Sequence, residues 1–366
     1  MDYSAEERYR IWLSSVEGIG SARFYRLIAE CGSAKAVWDE LADLSPDIVK
    51  KITARTYQNL KASRDERLID QMLERMEKHG AAAVFTDSYR YPIDLQNIYD
   101  VPPVLYYKGA APLNYDRRIG VVGSRRATYD GKRAAREISE LLSENGVSIV
   151  SGMALGIDSE AHKGALNGGT HTVAVLGCGV DVVYPQDNQR LYDEILDNGG
   201  LILSEHPMGT QPLRAHFPLR NRIISGLSRG VLLVEGTKNS GAMITVDYAL
   251  EQGKDVFAVP GGIYSPMAQA PNQLIVDGAT PALSGDSILR FYGWADEPEA
   301  RPTRAEVHLD GDEKRVVSEL MYEELSFDEL IMRTMLPAEE LNTLLTMLEL
   351  RQIVVRQPGN TFKANL

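Results

Sequence analysis

Cysteine is nearly absent: Cys31 and Cys178 stand far apart and outside any metal-ligand spacing. That excludes a disulfide framework and a structural zinc site, and it suits a reducing cytoplasm. No apolar run approaches the roughly 20 residues of a membrane helix. The opening MDYSAEERYR lacks a basic-then-apolar leader pattern, so a cytoplasmic location without a membrane partner is expected. Positive charge is also short, with 39 Lys and Arg against 51 Asp and Glu and a net charge of −12. This argues against indiscriminate nucleic-acid binding while leaving room for a local basic patch. Neither G-x-G-x-x-G nor G-x-x-x-x-G-K-[ST] occurs, so the dinucleotide and Walker readings lack their defining residues.

Catalytic constellations are missing as well. Ser151 and Ser204 lack a G-x-S-x-G elbow. Asp158 and His162 are four apart on a predicted helix but have no third metal ligand, and they read as ordering a turn. Cys178 has no identifiable histidine partner. Glu205 and Glu235 end predicted strands, where a carboxylate can serve as a base or pair with a nearby arginine. The expectation is a protein that is not an enzyme and has no metal or cofactor.

What is present is ordinary globular composition, 44% hydrophobic and 25% charged over 366 residues, enough for two or three domains. Residues 1–76 show apolar positions at three- and four-residue spacing and no strand-like alternation, predicting a small helical domain. Within it, Gly18 and Gly20 in VEGIGSARFYR sit in a short turn of helix-hairpin-helix type, near Arg23 and Arg26. Such a turn can meet a DNA backbone, but the plain-connector reading is preferred.

From 81 to 292 the texture changes. AAAVFT, PVLYY, RIGVVG, VSIVSG, HTVAVLG, LILSE, VLLVE and DVFAVPG are short, mostly continuous apolar runs, as strands covered on both faces require. Helical patterns such as AAREISELLSEN and ITVDYALEQG fall between them. The α/β alternation predicts a Rossmann-like, doubly wound, mainly parallel sheet. Ligands gather at the carboxyl ends of such strands. Residues 293–310 are charged and Pro-containing, and read as a linker. Residues 311–366 suit three helices and a hairpin turning at Pro358 to Asn360, a winged-helix domain. Its third helix carries Glu339, Glu340 and Glu349, charges that a phosphate backbone repels, so a protein-contact or autoregulatory role is favoured there over duplex reading.

Two stretches at strand ends carry the chemistry. In GVVGSRRATYDG a strand runs through Gly123 and Ser124 into a helix, which predicts outward backbone amides suited to phosphate. Arg125 and Arg126 add bidentate donors. In HPMGTQPLRAHFPLRNRIISGLSRGVLLV, Arg214, Arg220, Arg222 and Arg229 form a positive strip without a carboxylate before Glu235. Phe217 lies among them beside Pro218, which predicts a loop and a free ring. Cations that track a backbone beside an aromatic face are the recipe for single-stranded nucleic acid. Ser240 and Gly241 precede a helix and form a second candidate anion site.

At these residues the chain resembles the bacterial DNA processing protein A family (DprA/Smf). The resemblance spans about Ala81 to Leu289 and rests on GSRRATYDG, SGMALGIDSEAH, AVLGCGVDVVYP, FPLRNRIISGLS, SGAMIT and VFAVPG. It implies a core that binds single-stranded DNA, dimerises and hands incoming DNA to the RecA recombinase in natural transformation, with single-strand-binding protein as a further partner. It also implies a DNA-binding set. Gly123, Ser124, Arg125 and Arg126 form the cradle; Phe217, Arg220, Asn221 and Arg222 form the strip; Ser240, Gly241, Gly261 and Gly262 form the wall. Two departures stand out: Ala127 replaces the usual proline of G-[ST]-R-x-P-T, and Leu155 replaces the usual arginine of G-L-A-R-G-I-D. The alternatives are a nucleotide-processing enzyme of the lysine-decarboxylase-like group and a nucleotide-sensing winged-helix regulator. VPGGIYSP lacks the Gly-Thr and Glu of the first, and the acidic third helix argues against the second.

Overall fold

The computed structural model describes residues 3–295, 310–320, 323–351, 353–357 and 361–364. The chain divides into two compact units, Met1–Asp296 and Glu297–Leu366. Most of the predicted linker at 293–310 and the hairpin turn at 358–360 lie outside the described residues.

The first unit opens with helices α1 (Ala5–Ser15), α2 (Ser21–Cys31), α3 (Ala34–Asp39), α4 (Pro46–Ile52), α5 (Ala54–Ala62) and α6 (Glu66–Lys78). Polar residues set their starts. Ser4 and Glu7 form a capping box on α1, and Ser33, Ser45, Thr53 and Asp65 accept first-turn amides of α3 to α6, each such cap being worth about 1 kcal/mol. Trp12, Leu27, Val37, Ile52 and Leu60 fill the core between them. In the α1–α2 turn, Arg23 donates to the Gly18 carbonyl at 2.6 Å, turning part of its charge back onto its own backbone.

The sheet contains β1 (Ala81–Phe85), β2 (Val104–Gly109), β3 (Arg118–Val122), β4 (Ser148–Ser151), β5 (Thr172–Val175), β6 (Leu201–Ser204), β7 (Gly230–Leu233), β8 (Asp255–Ala258) and β9 (Thr280–Pro281). Their order is β1-β2-β6-β5-β4-β3-β7-β8-β9. Pairing is parallel from β6 through β9; β1 with β2 and β2 with β6 are antiparallel. The eight apolar runs are all strands, while β9 is too short to leave a run in the sequence.

Burial on both faces explains the continuous runs. Ile119, Val121 and Ile149 face one layer, and Val122 and Val150 face the other, as a two-residue period demands. The first layer is α7 (Tyr129–Glu144), α8 (Ile157–Gly168) and α13 (Gly285–Tyr292), reached here through Ile138, Ala161 and Ile288. α9 (Gln189–Asp197) covers the β5–β6 end. The second layer is α10 (His216–Gly226), α11 (Gly241–Glu251) and α12 (Gln269–Val276), with Ile223, Val246 and Leu274 inward. Ile11 of α1 and Met76 of α6 join the apolar cluster under β1 and β2.

The second unit runs α14 (Gly311–Leu320), β10 (Leu325–Ser326), α15 (Phe327–Thr334), α16 (Ala338–Leu350), β11 (Val354–Gln357) and β12 (Thr361–Ala364). Its sheet order is β10-β12-β11, the winged-helix arrangement. Val316, Leu330, Leu341, Leu345 and Phe362 form its core. The third helix, α16, begins with Glu339 and Glu340 and has no basic residue in its last turn.

Candidate nucleic-acid interface

Strand order reverses at β3. On one side the chain steps outward through β4, β5 and β6; on the other it continues through β7 and β8. The loops after β3 and β7 therefore diverge and leave a crevice at their carboxyl ends. A pocket of about 690 Å³ fills it. Its lining brings together Gly123, Ser124, Arg125 and Arg126 after β3, Phe217, Arg220 and Asn221 from α10, and Ser240 and Gly241 at the start of α11.

Arg125 and Arg126 are exposed, and among the described residues neither pairs with a carboxylate. The Arg125 guanidinium carbon lies 5.6 Å from the centre of the Phe217 ring. Tyr184 lies 5.4 Å from Phe217 with the ring planes 31° apart. This places a cation and two aromatic faces on one wall. Phe217 is helical, in the first turn of α10, rather than in a loop. Pro218 is tolerated there because a first-turn N–H has no intrahelical acceptor to lose.

The helix after GSRR is not an open phosphate cradle. Thr128 caps α7, and its amide and hydroxyl donate to the two Glu235 carboxylate oxygens at 2.8 and 2.6 Å. The positive end of α7 thus already holds an anion. The Ser124 amide donates to the Glu235 carbonyl at 2.8 Å, and the Arg126 amide to Ser124 Oγ at 3.0 Å. What the turn presents to the pocket is guanidinium, not these amides. The start of α11 differs: among the described residues Ser240 makes no side-chain cap, and its buried Oγ has no hydrogen-bond partner. Gly241 beside it borders open space, so the N-terminus of α11 faces the pocket.

Arg220 lines the floor of the pocket, almost wholly buried. Its Nη1 donates to the carbonyls of Gly152, at 2.7 Å, and Val175. Burial pushes its pKa down to about 10, opposed by the nearby Asp158. Asp158 accepts the Gly152 and Ala154 amides at 3.2 and 3.3 Å, and its pKa is raised by burial. These two charges order the loop after β4. Asn221 bridges to α11 by donating to the Gly241 carbonyl at 3.3 Å.

Three expected site residues stay outside the pocket. Arg222 is 3% exposed, and both terminal nitrogens are taken by Glu205. Its charge is therefore spent inside the protein and does not extend the strip. Gly261 exchanges two hydrogen bonds with Asn272, at 3.0 and 2.9 Å, and neither it nor Gly262 lines the cavity. Leu155, at the family's usual arginine position, is 43% exposed. Conversely, Tyr184 is a pocket residue that sequence reasoning does not reach. Its only sequence signal is an aromatic before proline in a loop that follows a strand. Among the described residues no three His, Cys, Asp or Glu side chains gather as metal ligands, and burial pushes the Cys178 thiol up to about 11.

No helix among the described residues is long and apolar enough to cross a membrane. A family model described as DNA recombination-mediator protein A matches residues 82–293, and one described as the DprA winged helix domain matches 300–360. DNA processing protein DprA of Streptococcus pneumoniae is 47% identical over 202 residues, covering 55% of this chain and 71% of that protein. The Bacillus subtilis DprA is 40% identical over 221 residues, covering 60% and 74%. The X-ray structure of the Streptococcus pneumoniae protein superposes with a TM-score of 0.65 at 35% identity, over 79% of this chain and 98% of that one. DNA processing protein A from Helicobacter pylori, whose structure addresses its single-stranded DNA binding mode, gives 0.52 at 27% identity, over 58% and 95%. With more than half its length matched by that family model, the chain belongs to the DNA recombination-mediator protein A family.

Proposed function

We propose that this protein binds single-stranded DNA in the crevice after β3 and β7, protects the incoming strand and hands it to the RecA recombinase during natural transformation and recombination. Single-strand-binding protein is the further partner, and a homodimer is the working form. The observation that carries this reading is Arg125 over Phe217, with Tyr184 alongside. A guanidinium meets the phosphate and rings meet the bases, a sequence-tolerant mode. The Helicobacter pylori relative, described by its single-stranded DNA binding, supports it. Asp158, the carboxylate among the described lining residues, accepts two amides and orders the loop after β4. The role assigned is binding rather than catalysis.

Uncovered apolar residues support the dimer. Leu250 at the end of α11 and Val276 at the end of α12 are 59% and 80% exposed, and a twofold contact between these helices would bury them. The test of the binding site is Arg125→Glu, titrated against a fluorescently labelled oligothymidylate by anisotropy. The expected result is weaker binding and a flatter salt dependence, by about 0.7 in the slope of log K against log salt for each phosphate no longer neutralised. Unchanged affinity in the folded variant rejects the assignment.

A further inference from the structure

At the other, amino-terminal end of the same parallel strands, cations follow one another across the sheet. Arg117 immediately precedes β3, Arg229 precedes β7 and Lys254 precedes β8; these three strands are neighbours in that order. The register pairs Ile119 with Gly230 and Gly230 with Asp255. Arg229 and Lys254 therefore sit side by side, about 4.8 Å apart across the ladder; Arg118 is level with Arg229, and Arg117, one position earlier, lines the same cleft. Arg118 is buried and committed, donating to the Pro112 and Leu113 carbonyls.

A cleft of about 640 Å³ lies over this row, lined also by Tyr292 and Trp294. The two rings stack at 4.3 Å with planes 21° apart. Arg117 and Arg229 are exposed, and among the described residues neither forms an ion pair. Arg229 Nε makes one bond, to the Asp116 carbonyl at 3.3 Å. Lys254 is 3.7 Å from Asp94. Of the two carboxylates on the cleft wall, Asp255 accepts the Tyr292 hydroxyl at 2.8 Å, and Asp116 stands exposed beside Arg117.

Two uncommitted guanidinium groups next to a stacked ring pair suit a ligand that is both anionic and planar. Guanidinium takes phosphate in a fork geometry, and aromatic faces take bases. A nucleotide unit offers both. We infer that this ledge is a second contact for single-stranded DNA, with a phosphate held between Arg117 and Arg229 and a base against the Tyr292–Trp294 pair. The inference rests on the crevice reading above. β3 separates the two contacts by five residues, about 16 Å at 3.3 Å each, so one strand crossing the domain can engage both, and the linkage raises its affinity without any change at the crevice.

The tryptophans supply a readout. Trp12 and Trp38 are 0% and 8% exposed, which leaves half-buried Trp294 as the ring that solution ligands reach. The experiment uses the full chain, a long oligothymidylate and paired measurements of anisotropy and tryptophan emission. Expected is quenching of the wild-type protein. Arg117→Ala with Arg229→Ala abolishes the quenching, weakens binding roughly tenfold and lowers the salt slope by about 0.7, for the one phosphate held between them. Arg125→Glu weakens binding but keeps the quenching at saturation. Trp294→Phe removes the emission change, which assigns the quenching to that ring. If the double variant keeps wild-type affinity and slope while Arg125→Glu still weakens binding, the ledge is overturned and the crevice stands. If the wild-type protein does not bind the oligonucleotide, both fall. Quenching by thymidine monophosphate but not by the oligonucleotide assigns the ledge to free nucleotides and overturns the strand contact.

Discussion

Glu205 holds Arg222 through both terminal nitrogens, at 2.6 and 2.7 Å, with the arginine side chain 3% and the glutamate side chain 16% exposed. Arg222 Nε also donates to the Asp100 carbonyl at 3.0 Å. The fork ties α10 to the loop after β6 and to the segment before β2. An arginine in the most basic stretch of the chain thus serves the fold.

Arg222→Gln is expected to destabilise the first unit by about 3–5 kcal/mol, because it leaves the Glu205 charge buried without its partner. Glu205 loses more from burial than any other single effect, yet the Arg222 bonds carry its pKa below the ordinary value. Its contribution to stability is thus present above the usual carboxylate range and lost as pH falls through the lowered folded value. Urea unfolding measures the loss. Glu205→Gln combined with Arg222→Met should recover most of it, and a single-variant loss below about 1 kcal/mol would count as an exposed pair.

That the sequence hides the burial of Arg222 but shows Arg125 at a strand end is a matter of range. The partners of Arg222 lie 17 and 122 positions away in the chain, and a count of charges in a window cannot see them. Arg125 needs no partner, only a position after a buried strand, and strand ends are legible because parallel strands covered on both faces leave continuous apolar runs. The Glu235 cap on α7 is hidden for the same reason as the Glu205 fork, since the residues meet across 107 positions. Phe217 shows a different limit. The residue before a proline favours extended backbone, but the first helical turn relaxes that preference.

Phe217→Ala should weaken oligothymidylate binding by about 1–3 kcal/mol, the worth of stacking one base. No charge is removed, so the salt slope should stay at the wild-type value. Phe217→Tyr preserves the ring and should bind normally. Anisotropy titrations at several salt concentrations separate these outcomes. A changed slope with unchanged affinity at low salt would mean that Phe217 merely positions Arg125.

The pH dependence of stability should carry the mark of His162. Thr172 Oγ1 donates to the Ile149 carbonyl at 2.7 Å, so His162 Nδ1, 2.8 Å away, must be the donor to Thr172. Its Nε2 is then a buried acceptor without a partner among the described residues. Burial first, and the Arg220 cation second, push the pKa down to about 3. The unfolded chain therefore takes up the proton first, near pH 6.5. Stability is complete above that pH and falls as pH drops towards 3, by about 1.4 kcal/mol per pH unit for one such group. His206, pushed down to about 4 by burial, adds to the upper part of the window. Urea unfolding of His162→Gln should show a shallower decline below pH 6.5 than wild type, and an equal slope would exclude His162 as a source.

Helix packing positions the crevice, and Gly164 controls it. A Cβ there would lie 2.2 Å from the Arg136 carbonyl oxygen of α7, and one at Gly168 would lie 2.4 Å from that of Glu140. Alanine gains about 0.8–1 kcal/mol in helix propensity, but backbone cannot step aside as a side chain can. Gly164→Ala must push α8 from α7, at about 1–3 kcal/mol or more. Because the loop carrying Arg125 enters α7 and the loop after β4 enters α8, the shift should also weaken oligothymidylate binding. Gly241→Ala is the control: its Cβ would meet nothing within 4 Å, and it should fold with unchanged or slightly raised stability. Thermal unfolding of the two variants side by side reads the difference, and equal melting temperatures would show that the α7–α8 contact has slack to spare.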